Sequence, residues 1–274
     1  MAATIRSAIT VSLVPEARGG PFVFWDGLAP ACKRAAALGF DAVEIFPPGA
    51  QALSGAGAIA KEHGLAVAAV GTGGGWVRHR WHLCHADESV RSHAIQYIRE
   101  IIDAAAALGA PAIIGSMQGR WDGAVDRERA LDLLGEALAP LGEHARQAGQ
   151  PLLYEPLNRY ETNLLHTLRD TTQFLQEIGA ANVLILGDLF HMNIEEADLA
   201  AAIHAAGPRL GHVHFADSNR RAIGFGHTAI AAVAQALKLI GYRGFVSAEV
   251  LPLPSADAAA EQTIRAFREH FPLV

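Results

Sequence analysis

Cysteine is nearly absent: 274 residues carry two, Cys32 and Cys84. That is too few for a disulfide framework, and neither stands at CxxC or zinc-finger spacing. Cys32 falls inside a helical pattern, where a small buried hydrophobe is the expected role. An excess of basic charge is also lacking. The formal net charge is −6 and charged residues make up 18% of the chain, whereas a phosphate-backbone binder carries a basic face. Arg78-His79-Arg80 is the one short basic run, so nucleic acid is not the expected partner. No uncharged apolar stretch approaches the ~20 residues that a bilayer span requires. The apolar run at 8–14 follows Arg6 and is closed by Glu16, which reads as a first strand rather than a signal peptide. Linkers and low-complexity segments are missing too. One domain over residues 1–274 is therefore expected, in a soluble, cytoplasmic protein with no membrane partner.

What is present is a rhythm. The chain is 51% hydrophobic, ample for a core, and its short β-branched or apolar runs lie at 5–13, 42–46, 65–70, 112–115, 152–155, 183–187, 210–214 and 245–249. Between them stand Ala-, Leu- and Glu-rich stretches of helical period; within 90–108, for example, Ile98, Ile101, Ile102 and Ala105 share one face. Gly39, Gly64, Gly109, Gly149, Gly179, Gly207 and Gly241 each precede a strand candidate, as helix stops do. Eight strands alternating with helices predict an α/β fold, a single (β/α)8 TIM barrel. A doubly wound open sheet also alternates, but it gathers its site at one switch point. Here polar groups end four consecutive strand candidates.

Those groups are Glu155, Asp188, His214 and Glu249. One carboxylate at a strand end is ordinarily a helix cap or a surface ion pair. Three carboxylates and an imidazole converging on one rim of a parallel sheet read as a divalent-metal site. His212 and His214 face the same side of their strand; His214 is nearer the rim and is assigned as ligand, His212 to a deeper layer. Glu44, ending the second strand, is an alternative ligand or a substrate contact. In the fifth loop, Arg159 and Glu161 are compatible with ordinary solvated charges. Asp217, Asn219, Arg220 and His227 form a polar run of which some members are expected at the site. The run Gly71-Thr72-Gly73-Gly74-Gly75 follows a strand, yet Trp76-Val77-Arg78-His79 does not open like a helix, which argues against a dinucleotide fingerprint. A mobile loop is expected there, with Trp76 or Trp81 covering substrate; Trp25 and Trp121 either do the same or pack.

The strings EPLNRYETN at 155–163, HMNIEE at 191–196, HFADSNR at 214–220 and EVLPLP at 249–254 resemble the ketose 3-epimerases. These form the D-tagatose 3-epimerase group of the xylose-isomerase-like barrels. NRYET and LPLP look most similar to the branch containing the 5-keto-L-gluconate epimerases. The resemblance implies that Glu155, Asp188, His214 and Glu249 hold a divalent metal, usually Mn²⁺, with Co²⁺ or Mg²⁺ as alternatives. It implies that Glu155 and Glu249 are the acid–base pair and that Glu161, His191 and Arg220 contact substrate. Ala216-Asp217 departs from the Gly-Glu or similar pair of the tagatose enzymes, and the loop after the eighth strand also differs, which bears on the sugar chosen.

The activity so implied is inversion at C3 of a ketose or keto-sugar acid through a cis-enediolate, with a small sugar as the partner and no redox cofactor. A sugar acid needs a cationic clamp, for which Arg120 after the fourth strand is the candidate and Arg78 or Arg80 the alternatives. An aldose–ketose or hydroxypyruvate isomerase would use similar ligands. A metal-dependent endonuclease would carry further metal-binding residues and a basic track, and a non-catalytic sugar-binding module would have lost one of the two glutamates. A homo-oligomer is expected, because the helical outer faces of such barrels often associate.

Overall fold

Each apolar run becomes a strand because its β-branched and aliphatic side chains are covered on both faces, by barrel interior and by helices. In the computed structural model, which describes residues 5–272, the strands are β1 (Arg6–Ser12), β2 (Ala42–Phe46), β3 (Ala66–Gly71), β4 (Ala112–Ile114), β5 (Leu152–Tyr154), β6 (Val183–Asp188), β7 (Leu210–His214) and β8 (Phe245–Ala248). They pair in parallel in chain order, and β1 pairs with both β2 and β8, closing the barrel. The closed barrel excludes the open sheet. Strand bounds differ from the sequence expectation by a residue or so. The meaningful shifts are at β5 and β8, which stop one residue short and leave Glu155 and Glu249 as the first loop residues.

All seven predicted glycine stops have positive φ, between +51° and +85°. At Gly39 the reason is visible: its N–H reaches Ala35 O and Ala36 O, a left-handed cap that a side chain would strain. Inside the barrel, Ala8, Ala42, Ala68 and Phe245 pack together near the N-terminal strand ends, and Ala69, Ile113, Leu153 and Leu186 form a second apolar group. Small and branched residues thus fill the interior as a packed core. The layer at the C-terminal ends is polar instead, holding Glu44, Glu155, Asp188, His212 and His214, all buried. Among the described residues no helix is long and apolar enough to cross a membrane.

Candidate metal centre

Four side chains meet at the C-terminal mouth. His214 Nδ1 lies 3.4 Å from Glu155 Oε1, 3.5 Å from Asp188 Oδ2 and 3.6 Å from Glu249 Oε2, and the four ligand atoms all fall within 4.8 Å of one another. Strand order accounts for the convergence: β5, β6, β7 and β8 are neighbours, and each delivers one group at its end. Asp188 divides its carboxylate between two roles. Oδ1 accepts from Phe190 N at 2.7 Å, capping the helix Leu189–Glu195, while Oδ2 faces the cluster. Gly115, at the end of β4, leaves room for Glu155; a Cβ there would come 2.5 Å from its Oε2.

Glu155 Oε1, Asp188 Oδ2 and His214 Nδ1 are buried with no hydrogen-bond partner. Such orphans cost stability, and here they all point at one centre. Three carboxylate oxygens and one imidazole nitrogen form a donor set suited to Mn²⁺, Co²⁺ or Mg²⁺, so the residues fit the ion that the family resemblance implies. Electrostatics agree. Burial, then the Glu249 and Asp188 charges, push the Glu155 carboxyl up to about 7 despite His214 beside it. Burial also raises Glu249. For Asp188 burial acts upward too, but His191, His214 and Arg220 outweigh it and hold the carboxyl below its usual range. Burial disfavours a charged His214, yet Glu44, Glu249, Asp188 and Glu155 around it lift the imidazole well above its ordinary value. A cation held by these four groups would take the place of that proton.

Substrate-side groups surround the cluster. The Asn158 backbone N–H donates to His191 Nδ1 at 3.3 Å, so the ring proton sits on Nε2, 3.7 Å from Asp188 Oδ2 and 3.8 Å from Glu155 Oε1. Arg220, in the left-handed region at φ +58°, donates from Nη2 to Glu249 Oε2 at 2.6 Å and from Nη1 to Glu161 Oε1 at 3.1 Å. A cavity of about 290 Å³ stands above, with Glu155, Glu161, His191, His214, Arg220 and Glu249 on one side and Phe22, Phe46, Trp76, Val77 and Ile113 on the other.

Arg120 is not brought to the cluster. It is exposed and lines an adjoining cavity of about 310 Å³ with Trp76, Ser116, Leu157, Tyr160 and Glu161. Of the alternatives, Arg78 is engaged by Glu16 and Pro48 O, and Arg80 lies over the Trp76 ring, 5.0 Å from its centroid. Arg159 pairs with Glu195.

Two expectations need correction. Residues Gly74–His79 do form a helix, and the glycine run is a packing device rather than a loose loop. A Cβ on Gly73 would meet Phe46 Cε2 at 2.7 Å, and one on Gly75 would meet Met117 at 2.7 Å; the glycines' poor helix propensity hid the element. Trp76 lines the cavity, but Trp81 is stacked between His79 and His93, at 4.3 and 5.2 Å. Trp25 and Trp121 donate to Phe22 O and Asn163 O; Trp25 packs edge-on against Phe22, and Trp121 is exposed. Within the polar run after β7 only Arg220 reaches the cluster. Asp217 turns into its own loop, where its carboxylate accepts four backbone N–H groups, from Ser218, Gly224, Gly226 and Thr228.

Sequence reasoning missed Asn158, which orients His191, and Gln118. Gln118 Nε2 donates to Glu155 O at 3.0 Å and its Oε1 accepts from Tyr154 OH at 2.6 Å. The Glu-Pro-Leu-Asn string contains Asn158, but no local pattern pointed to Gln118.

A closed barrel with polar groups that could hold a metal ion gathered at its C-terminal mouth is the arrangement of the (β/α)8 enzymes. The chain belongs to the xylose isomerase-like TIM barrel family, whose model matches residues 32–270. It is 32% identical over 254 residues to the D-psicose 3-epimerase of Enterocloster bolteae, covering 87% of this chain and 81% of that protein. It is 32% identical over 223 residues to the 3-dehydro-D-guloside 4-epimerase of Escherichia coli, covering 77% and 80%. The crystal structure of D-allulose 3-epimerase from Methylomonas sp. superposes with a TM-score of 0.81 at 26% identity, over 98% of this chain and 100% of that one. All three relatives are sugar epimerases, enzymes of the isomerase class.

Proposed function

We propose that this chain is a divalent-metal-dependent epimerase that inverts C3 of a ketose or keto-sugar acid through a cis-enediolate. One observation carries the reading: three orphaned buried atoms, with Glu249 Oε2 beside them, converge at a barrel mouth whose relatives are sugar epimerases. Glu155, Asp188, His214 and Glu249 would hold the ion, Mn²⁺ or, with the same donors, Co²⁺ or Mg²⁺. The ion supplies Lewis acidity at the substrate carbonyl, worth several kcal/mol.

The remaining work falls to side chains. Glu155 and Glu249 leave β5 and β8, three strands apart around the barrel, and so approach the centre from different sides. One takes the C3 proton and the other returns a proton to the opposite face; each also has a second carboxylate oxygen. His191 presents Nε2–H, and Arg220 its guanidinium, to substrate oxygens as negative charge develops. Glu161, at the mouth, accepts from a hydroxyl. Arg120, in the outer cavity, clamps the carboxylate when the substrate is a sugar acid.

A panel of ketohexoses, ketopentoses and keto-hexonates incubated with Mn²⁺ and read by product stereochemistry tests this. C3 epimers are the expected products. Aldoses would make the chain an isomerase, C4 epimers would move the reacting carbon, and an absence of product from every sugar would remove the activity.

A further inference from the structure

Glu44, in the middle of β2, is grouped with His212 and His214 closely enough for a second cation site. Hydrogen bonding argues against that use. His212 Nε2 lies 2.7 Å from Glu44 Oε2, and His214 Nε2 lies 3.0 Å from Glu44 Oε1. Both oxygens are therefore already engaged, and none of these four facing atoms is an orphan. The unpartnered atom of His214 is its other nitrogen, Nδ1, which faces Glu155, Asp188 and Glu249.

Glu44, His212 and His214 are all buried, at 4%, 2% and 1% exposure, so water does not compete for these bonds. β2 and β7 are not neighbours; β1 and β8 stand between them, and the carboxylate spans the barrel interior. An ionised carboxylate only accepts hydrogen bonds. Each imidazole nitrogen facing it must therefore carry its proton. For His214 this places a proton on Nε2 and lets Nδ1 offer a lone pair to a cation, whereas the opposite tautomer would aim an N–H at it.

We propose that Glu44 is a positioning residue of the metal centre: it holds His214 in the Nε2–H form that makes Nδ1 a ligand. His212 holds the second oxygen, so the carboxylate cannot swing into the cluster and compete for the ion. This rests on the metal-dependent reading above. Carboxylate–imidazole–metal relays of this kind orient the ligand and raise its basicity.

Calorimetric titration of metal-free protein with Mn²⁺ tests it, with melting curves checking that each variant folds. Glu44→Gln should weaken Mn²⁺ binding by about 10- to 100-fold, because its amide N–H₂ opposes one of the two ring protons. His212→Gln should weaken it by less than about tenfold, since His214 keeps its partner. A Glu44→Gln affinity within about twofold of wild type would overturn the proposal. Nitrogen-15 NMR of wild-type histidines with Mg²⁺ bound gives a reading that no variant's folding can spoil: a proton on His214 Nε2 is expected, and one on Nδ1 overturns it. A wild-type protein that binds none of Mn²⁺, Co²⁺ or Mg²⁺ would defeat the metal-dependent reading and this inference together. Tight wild-type binding with an unaffected Glu44→Gln would defeat this inference alone.

Discussion

The two halves of the barrel mouth are built for different work. Strands β5 to β8 and their loops supply Glu155, Asp188, His214, Glu249, Glu161, His191 and Arg220, all of them charged or ionisable. Strands β1 to β4 and their loops supply Phe22, Phe46, Trp76, Val77, Ile113 and glycine backbone. Among the described residues, Glu44 is the one charged group that the first half adds to the cavity lining, and its oxygens are turned to His212 and His214. The charged half depends on the identity of atoms and the apolar half on volume. Substitutions in the two should therefore fail differently.

The largest effect belongs to the charged half. Glu155→Gln and Glu249→Gln should each lower kcat for epimerisation by about 10²–10⁴-fold. Yet metal-free Glu155→Gln should melt no lower than wild type, because it removes a buried carboxyl that Glu249 and Asp188 repel. Turnover and a melting curve on the same preparation check both statements.

Next is the loop that carries Arg220. Asp217→Ala leaves four backbone N–H groups without their acceptor and should lower stability by about 1–3 kcal/mol in urea unfolding. It should also raise KM through a displaced Arg220. An unchanged KM would mean that Arg220 is held by Glu249 and Glu161 alone.

The smallest effect is expected in the apolar half. Gly73→Ala introduces a Cβ 2.7 Å from the Phe46 ring, at ordinary negative φ. Overpacking of about 1 kcal/mol should follow, read as a lower melting point and a raised KM. Mn²⁺ affinity should not move. If it does, the two halves are coupled and the division drawn here is wrong.

The charged half was also the more legible in sequence. Glu155, Asp188, His214 and Glu249 stand out because each closes an apolar run, and glycine stops such as Gly39 and Gly179 count the repeats. What stayed hidden depends on contacts distant in sequence. The Glu44 bond to His214 joins residues 170 positions apart, and no local pattern reports it. Which members of the polar run after β7 reach the site was not legible either: Arg220 does, whereas the Asp217 carboxylate is spent on backbone N–H groups. The helix Gly74–His79 escaped notice because its glycines serve packing against Phe46, Tyr97 and Met117 at the expense of propensity. Arg120 follows β4, where the sequence put it, but it is exposed and lines the outer cavity rather than the cluster.

Solvent-isotope tracing is the most direct test of a proton shuttled between two glutamates. Metal-loaded enzyme and a ketose are mixed in D₂O, and early product is read by NMR and mass spectrometry. If Glu155 and Glu249 work from separate sides, newly formed epimer carries a solvent deuterium at C3. Epimer with its original C3 hydrogen, or an aldose with deuterium at C2, would contradict the account.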